Sequence, residues 1–436
     1  MIKKGIYCFL FISLFTPVFC QTINITSFEL PNGLKVILSP SDDMQAAAVC
    51  IYNMNGARHD LADNRGISYL FQYLMFNGNE NLESYDHVLF INKMGGIVSG
   101  RVSHDNSVFC DVLPASEINV ALWLESERLK SLRLDDASIN YQKNQIFNRI
   151  NRLGEASLNF RAQTWINSRV FDGLPYAQPL YGDLNKIRNL NNDQIRESYQ
   201  KFQNLSNILL IIAGKFDINE LKAGINKYFQ NIPPGKKSQE VIANISTPHS
   251  SFSVKNWVLP GLKNNFSFFA IKSPGKINYD FLYFDFLRYY LTDPRLSHLD
   301  YMINKVNKLN VEIEATYTDY FEANVLTIQM SCPERINLEK AKYILQQEFM
   351  ALTTKLINNA DFRAVRSLME IDFNKNTYSL EDRCLRIGEF YHMFGELNFF
   401  DAYLRRLRRV SLYDILESAK KYLKKENQVI LNVYGE

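Results

Sequence analysis

Along residues 66–78, GISYLFQYLMFNG, apolar side chains recur at Ile67, Leu70, Phe71, Leu74 and Met75. That spacing predicts an amphipathic helix with one stripe in a core. The opposite face carries Tyr69, Gln72 and Tyr73 within one helical turn. Upstream, SFELPNGLKVIL (27–38) sets Asn32-Gly33 between two apolar runs, a hairpin signal. Residues 46–52 are nearly all apolar and predict a buried strand. A second amphipathic helix is expected over 87–94, stopped by Gly95-Gly96. Alternation over 107–113 predicts a strand closed by Pro114, and Ser116 is placed to cap a helix containing Ile118, Ala121, Leu122 and Leu129. A longer helix is expected over 139–153. It would turn Ile139, Ile146, Ile150 and Leu153 inward, with Gln142, Gln145, Arg149 and Arg152 on the other side.

The pattern then repeats. IRNLNNDQIRESYQKFQNLSNILLIIAG begins at Ile187, and LRRVSLYDILESAKKYLKKENQVILNVYG begins at Leu407. At an offset of 220, Ile195 meets Ile415, Glu197 meets Glu417, Ser198 meets Ser418, Lys201 meets Lys421 and Asn207 meets Asn427. Each copy reads as an amphipathic helix, a short turn and a wholly apolar strand. A long period seen twice implies two duplicated domains rather than a solenoid. The polar segment 236–251 separates them as a linker, giving domains at 21–235 and 252–436. After the linker, strands are expected over 252–259 and 266–272, an aromatic helix over 279–291, and inward alternation at Val311, Ile313 and Ala315. Residues 324–332 complete the strands, and long helices fill 337–425. The fold class is α+β.

Composition narrows the function. The chain has 436 residues, too many for one ordinary core, and its 46% hydrophobic content suits a folded protein. Its formal charge is +3, falling to +1 without Lys3 and Lys4, which argues against nucleic-acid binding. Arg405, Arg406, Arg408 and Arg409 read as a solvated helix face. Residues 1–20 resemble a secretory leader: Lys3 and Lys4, then an apolar stretch too short to span a bilayer. Val18 and Cys20 precede a plausible cleavage before Gln21. Phe19 argues against a lipoprotein signal anchored at Cys20. The expected location is periplasmic or extracellular, with no transmembrane segment in the mature chain. Four cysteines would then remain: Cys50, Cys110, Cys332 and Cys384. They contain no C-x-x-C pair, and both a Cys50–Cys110 bridge and buried free thiols stay open.

GARHDLADNRGISYLFQYLMFNG (56–78) resembles the region of the pitrilysin- and insulinase-like metallopeptidases that carries their inverted zinc motif, H-x-x-E-H, between a Gly and F-x-G. On that pattern the histidine positions hold Tyr69 and Tyr73, and the glutamate position holds Gln72. The family's third ligand, a glutamate about 76 residues later, falls at Arg149 or its neighbour, and no carboxylate lies between Asp136 and Glu155. An additional upstream glutamate would fall near Gln142. Zinc takes thiolate, imidazole or carboxylate donors, which these four positions lack. The six histidines (His59, His87, His104, His249, His298, His392) contain no i, i+4 pair to replace them.

The family's substrate strand, G-G-x-x-N-A-x-T, is matched loosely by GGIVSGRVSHDNSVFCDVL (95–113), with Ser99, Gly100 and Val102 at the Asn, Ala and Thr positions. Strand addition uses backbone groups, so peptide binding there can survive the changes. In the second half, LTDPRLSHLDYM (291–302) keeps an echo of the family's S-R-L-Y segment without its glycines. The resemblance implies two homologous domains, each a sheet backed by helices, arranged as half a clamshell. It also implies a catalytically inactive member, without metal or cofactor, forming a heterodimer with an active paralogue that encloses peptide substrates. The alternative is a structural or assembly subunit with no peptide substrate. An active protease built on another site has little donor chemistry to draw on.

Overall fold

The computed structural model describes residues 24–235 and 252–435. The expected leader, 1–20 with Cys20, and the expected linker, 236–251, lie outside the described residues. The first sheet is built from β1 (Thr26–Glu29), β2 (Lys35–Pro40), β3 (Ala46–Asn53), β4 (Ile97–Val102), β5 (Ser107–Pro114) and β6 (Ile208–Gly214). The second contains β7 (Ser253–Val258), β8 (Asn265–Pro274), β9 (Glu312–Tyr317), β10 (Ala323–Cys332) and β11 (Gln428–Tyr434). Their orders are β1-β2-β6-β3-β5-β4 and β7-β11-β8-β10-β9. Leave out β1 and the sheets share one topology. The parallel pairs β2–β6 and β7–β11 correspond, and the other neighbours run antiparallel in both.

The first half supplies α1 (Ile67–Leu74), α2 (Asp86–Lys93), α3 (Ile118–Lys130), α4 (Asp136–Ala156), α5 (Leu158–Val170), α6 (Leu184–Asn189), α7 (Asn192–Phe202) and α8 (Ile218–Phe229). The second supplies α9 (Phe281–Thr292), α10 (His298–Asp300), α11 (Arg335–Thr354), α12 (Asn359–Tyr378), α13 (Leu380–Phe394), α14 (Phe399–Arg409) and α15 (Leu412–Tyr422). The offset of 220 holds to the residue between α7 and α15 and between β6 and β11. Both strands are buried along their whole length. β6 is an unbroken apolar run. β11, expected to be wholly apolar, also buries Gln428 and Asn432, whose amides donate to Leu423 O at 3.1 Å and Asn256 Oδ1 at 2.8 Å.

Local signals explain most boundaries. The Asn32-Gly33 turn joins β1 to β2, with Gly33 at φ +85° and the Asn32 amide donating to Phe229 O at 2.8 Å and Ile232 O at 3.0 Å. Two expectations are corrected. Ser116 does not cap α3; a tight turn over Ala115–Glu117 intervenes, and its hydroxyl bonds Glu117 instead. On α4, Leu153 is exposed whereas Gln142 is buried, its amide donating to Asn77 Oδ1 at 3.0 Å.

The halves exchange one helix each. From the first half, α5 lays Ala162, Ile166 and Val170 on Phe268, Val429 and Leu431 of the second sheet. From the second, α13 lays Leu380, Cys384 and Ile387 on Ala48, Cys50 and Ile211 of the first. Gly388 lets α13 approach so closely that an added Cβ would collide with the Tyr52 ring. Each large apolar side chain buried here contributes about 1.5–3 kcal/mol, so the exchange binds the halves firmly. A polar cluster completes the junction. Arg58 Nη1 donates to Glu322 Oε1 at 2.6 Å and to the Tyr176 hydroxyl at 3.1 Å. Tyr176 donates to Asp105 Oδ1 at 2.7 Å, and Phe321 N donates to Asp105 Oδ2 at 3.0 Å.

Candidate functional site

Helix α1 is started from a distance. Asp60 accepts from Gly66 N at 2.8 Å and from the backbone and hydroxyl of Ser68, satisfying donors that the first turn leaves free. Burial pushes the Asp60 carboxyl up to about 6, against the pull of those hydrogen bonds. Gly66 has φ +97°, and a Cβ there would meet Tyr181 O, so the entry requires glycine. Ile67, Leu70, Phe71 and Leu74 then pack on Ile139, Ile146 and Ile150 of α4, as the stripe predicted.

The remaining face brings three of the four motif positions, Tyr69, Tyr73 and Arg149, together. The Tyr69 and Tyr73 hydroxyls are 3.2 Å apart, with their rings edge to face at 5.5 Å. Across the gap to α4, Arg149 Nη1 donates to the Tyr73 hydroxyl at 2.9 Å. Burial, reinforced by Tyr73, raises the Tyr69 phenol well above its ordinary value, so it stays protonated. Gln72 turns the other way, to the sheet. Its Nε2 donates to Gly100 O at 3.2 Å and its Oε1 accepts from Val102 N at 3.3 Å.

That second contact closes part of an edge. β4 is the terminal strand of its sheet, antiparallel to β5. Ser103 N donates to Asn106 O at 2.8 Å, and alternation from that pair turns the backbone groups of Gly100 and Val102 away from β5. One carboxamide therefore fills the hydrogen-bonding place that a single residue of an added strand would take. Ser99 points to the opposite face and donates to Glu381 Oε1 of α13 at 2.7 Å. Gly100 lies against Phe76, and Val102 is buried.

Another group of candidate metal donors occurs elsewhere in the first half. His87, Asp111 and Glu125 converge from α2, β5 and α3, the sole such group among the described residues. His87 Nε2 is 2.8 Å from Asp111 Oδ2, but Arg128 Nη2 stands 3.0 Å from His87 Nδ1 and its Nε stands 3.3 Å from Glu125. Burial pushes both carboxyls up to about 7 and His87 down to about 3, while Arg128 draws the carboxyls back. A fixed guanidinium charge among the donors marks a buried ion-pair network rather than a cation site. Sequence spacing held no hint of it, since the three residues come from three elements. The open question about cysteines is settled here too: Cys50 and Cys110 face each other across β3 and β5 and are bonded, while Cys332 and Cys384 are free and buried.

The second half has a counterpart of the motif locus. By sheet order α9 stands where α1 does and α12 where α4 does. Arg149 and Asp372 each lie fourteen positions beyond their helix N-caps, Asp135 and Asn358. Tyr289 donates to Asp372 Oδ2 at 2.8 Å, as Arg149 bonds Tyr73 in the first half. Counting back from Tyr289, Arg288 matches Gln72 and Asp285 matches Tyr69. Arg288 Nε donates to Asp285 at 2.6 Å, and Arg295 Nη1 donates to Asp372 at 2.8 Å.

Comparison with known proteins covers both halves. Residues 35–184 match the family model described as Insulinase (Peptidase family M16), and residues 189–369 match Peptidase M16 inactive domain. An uncharacterized zinc protease of Rickettsia bellii is 21% identical over 403 residues, 91% of this chain and 95% of that protein. Bovine mitochondrial cytochrome b-c1 complex subunit 1 is 19% identical over 402 residues, 90% of this chain and 83% of that subunit. Among solved structures, a protease from Helicobacter pylori superposes with a TM-score of 0.86 at 16% identity, covering 94% of this chain and 99% of that one. The peptidase M16 inactive domain from Pseudomonas fluorescens gives 0.82 at 14% identity, covering 95% and 98%. The periplasmic protease PqqL from Escherichia coli gives 0.74 at 12%, covering 94% of this chain and 48% of that protein.

Proposed function

Because the chain belongs to the insulinase-like peptidases of family M16, we propose that it is a non-catalytic subunit of an exported zinc peptidase. It pairs with an active paralogue and encloses peptides in a shared chamber. The observation that carries this reading is the bonded set of Tyr69, Tyr73 and Arg149. Zinc chemistry in the family needs imidazole and carboxylate at those positions. Two phenols and a guanidinium do not fit a divalent cation, and the Arg149 charge repels one. Gln72 cannot take a proton from water, so the general base is missing as well. What remains is a wall and a strand edge. An extended peptide adds to β4 around Ser99, Gly100 and Val102, displacing the Gln72 carboxamide.

Export rests on the leader-like residues 1–20. The Cys50–Cys110 bridge supports an oxidising compartment, and PqqL, described as periplasmic, is consistent with it. Among the described residues no helix is long and apolar enough to cross a membrane. Co-expression with a zinc-bearing homologue encoded nearby tests the pairing: the two copurify near 1:1. Full activity of the homologue with no association would refute it.

The second reading, a structural subunit without peptide, is favoured by the Gln72 contacts that close the β4 edge. Gln72→Ala separates the two. Under the first reading, peptide binding by the heterodimer tightens severalfold as the edge is freed. Under the second, no peptide binds before or after.

A further inference from the structure

The counterpart locus in the second half opens into a cavity of about 510 Å³. It is lined by α9, α12, α13 and α14, and by one residue of the first half, Arg101 of β4. Five cations and five carboxylates face it, so the number of charges selects nothing. Their pairing does. Lys276 is shared by Asp319 at 2.6 Å and Glu389 at 2.8 Å, Arg288 holds Asp285, and Arg295, from outside the lining, holds Asp372.

Among the described residues, three guanidiniums of the lining have no carboxylate within salt-bridge distance. Arg386 lies over the Phe373 ring at 5.1 Å and Arg406 over the Tyr279 ring at 4.6 Å, while Arg101, on the strand edge, acts on Glu389 only at longer range. Against them stands Asp382, the one carboxylate of the lining without a cation within salt-bridge distance among the described residues, in the first turn of α13, where the helix dipole favours it. Stacked guanidiniums keep their N–H edges available, and their planar fork matches a carboxylate.

The position of Arg101 says how a ligand reaches them. Residues 99 and 101 of β4 face α13 and the cavity, on the side opposite Gly100 and Val102. A strand added to β4 sends alternate side chains to that same face, beside Arg101. Opposite charges at such cross-strand positions attract. We propose that the cavity is a carboxylate-recognising pocket that selects bound peptides for an acidic group next to Arg101, clasped by Arg101 and Arg386. The inference rests on strand addition at β4, as proposed above. The group is a glutamate or aspartate side chain or the peptide's C-terminal carboxylate.

The test uses the full chain and fluorescein-labelled decapeptides. One is amidated with a central Glu, one is amidated with Gln there, and one is the Gln peptide with a free C-terminus. The Glu peptide binds about tenfold tighter than the amidated Gln peptide, equivalent to one good charge-assisted contact. A gain with the free C-terminus instead assigns the pocket to a terminal carboxylate. In Arg101→Gln/Arg386→Gln the advantage disappears while the Gln peptide binds unchanged, which also shows that the variant is folded. Equal affinity of all three peptides overturns the pocket and leaves strand addition standing. No binding by any of them overturns strand addition, and the pocket with it.

Discussion

Where α1 meets α4, Arg149 reaches a pair of phenols; where α9 meets α12, the Tyr289 phenol reaches Asp372, which Arg295 neutralises. The two helix pairs occupy equivalent places in one duplicated topology. Beneath both lie buried apolar stripes: Leu70, Phe71 and Leu74 in one, Phe286, Leu287 and Tyr290 in the other. The crossing of the helices is therefore set by the apolar side. The polar tips differ: one set is phenol and guanidinium, and the other is an ion-paired cavity wall.

The comparison is broken most severely from below. Phe71→Ala should cost about 3–5 kcal/mol and Leu287→Ala about 2–5 kcal/mol, since both side chains are buried and leave cavities. Chemical denaturation measures each. A negligible loss in one half would show that the polar tips hold that helix pair.

The next effect lies between the halves. His104 sits edge-on to Tyr176 and Tyr320 near Arg58, and its pKa is lowered to about 4, first by burial and then by Arg58. A depressed histidine is neutral in both states above pH 6.5. Below that, the unfolded chain takes the proton first, so stability falls as pH drops from 6.5 towards 4. Asp60, raised by burial, acts in the opposite direction below about 6, so the term is isolated by difference. His104→Phe should gain on the native chain by up to about 1.4 kcal/mol per pH unit in that window. A difference that stays constant from pH 7 to 4.5 would contradict this.

Smaller effects separate the tips themselves. Asp372→Ala strips an acceptor from Tyr289 and Arg295, half-exposed as that arginine is, and should cost about 1–2 kcal/mol. Arg149→Ala removes an exposed contact and should change thermal stability by less than about 0.5 kcal/mol. Equal losses would mean that the first locus is as tightly built as the second.

Much of this was legible in the chain. The α1 stripe, the Asn32-Gly33 turn and the β6–β11 repeat are carried by sequence spacing, and Tyr69, Tyr73 and Arg149 lie in one bonded set while Gln72 turns to β4. The match of α1 to α9 was hidden because loops change the offset. Tyr73 to Tyr289 is 216 and Arg149 to Asp372 is 223, against 220 for the strands. Asp60 caps a helix six residues away, and no capping pattern has that spacing. The exchange of α5 and α13 and the turn of Gln72 towards β4 depend on where sheets lie in space, which periodicity does not record.

Zinc content and peptidase activity of the purified chain, beside the variant Tyr69→His/Gln72→Glu/Tyr73→His/Arg149→Glu, probe the central claim most directly. The native chain should retain far less than one zinc and cleave nothing, while the variant binds close to one. Zinc near 1:1 in the native chain, lost on Tyr73→Phe but not on His87→Ala, with peptide cleavage by this chain alone, would contradict the account.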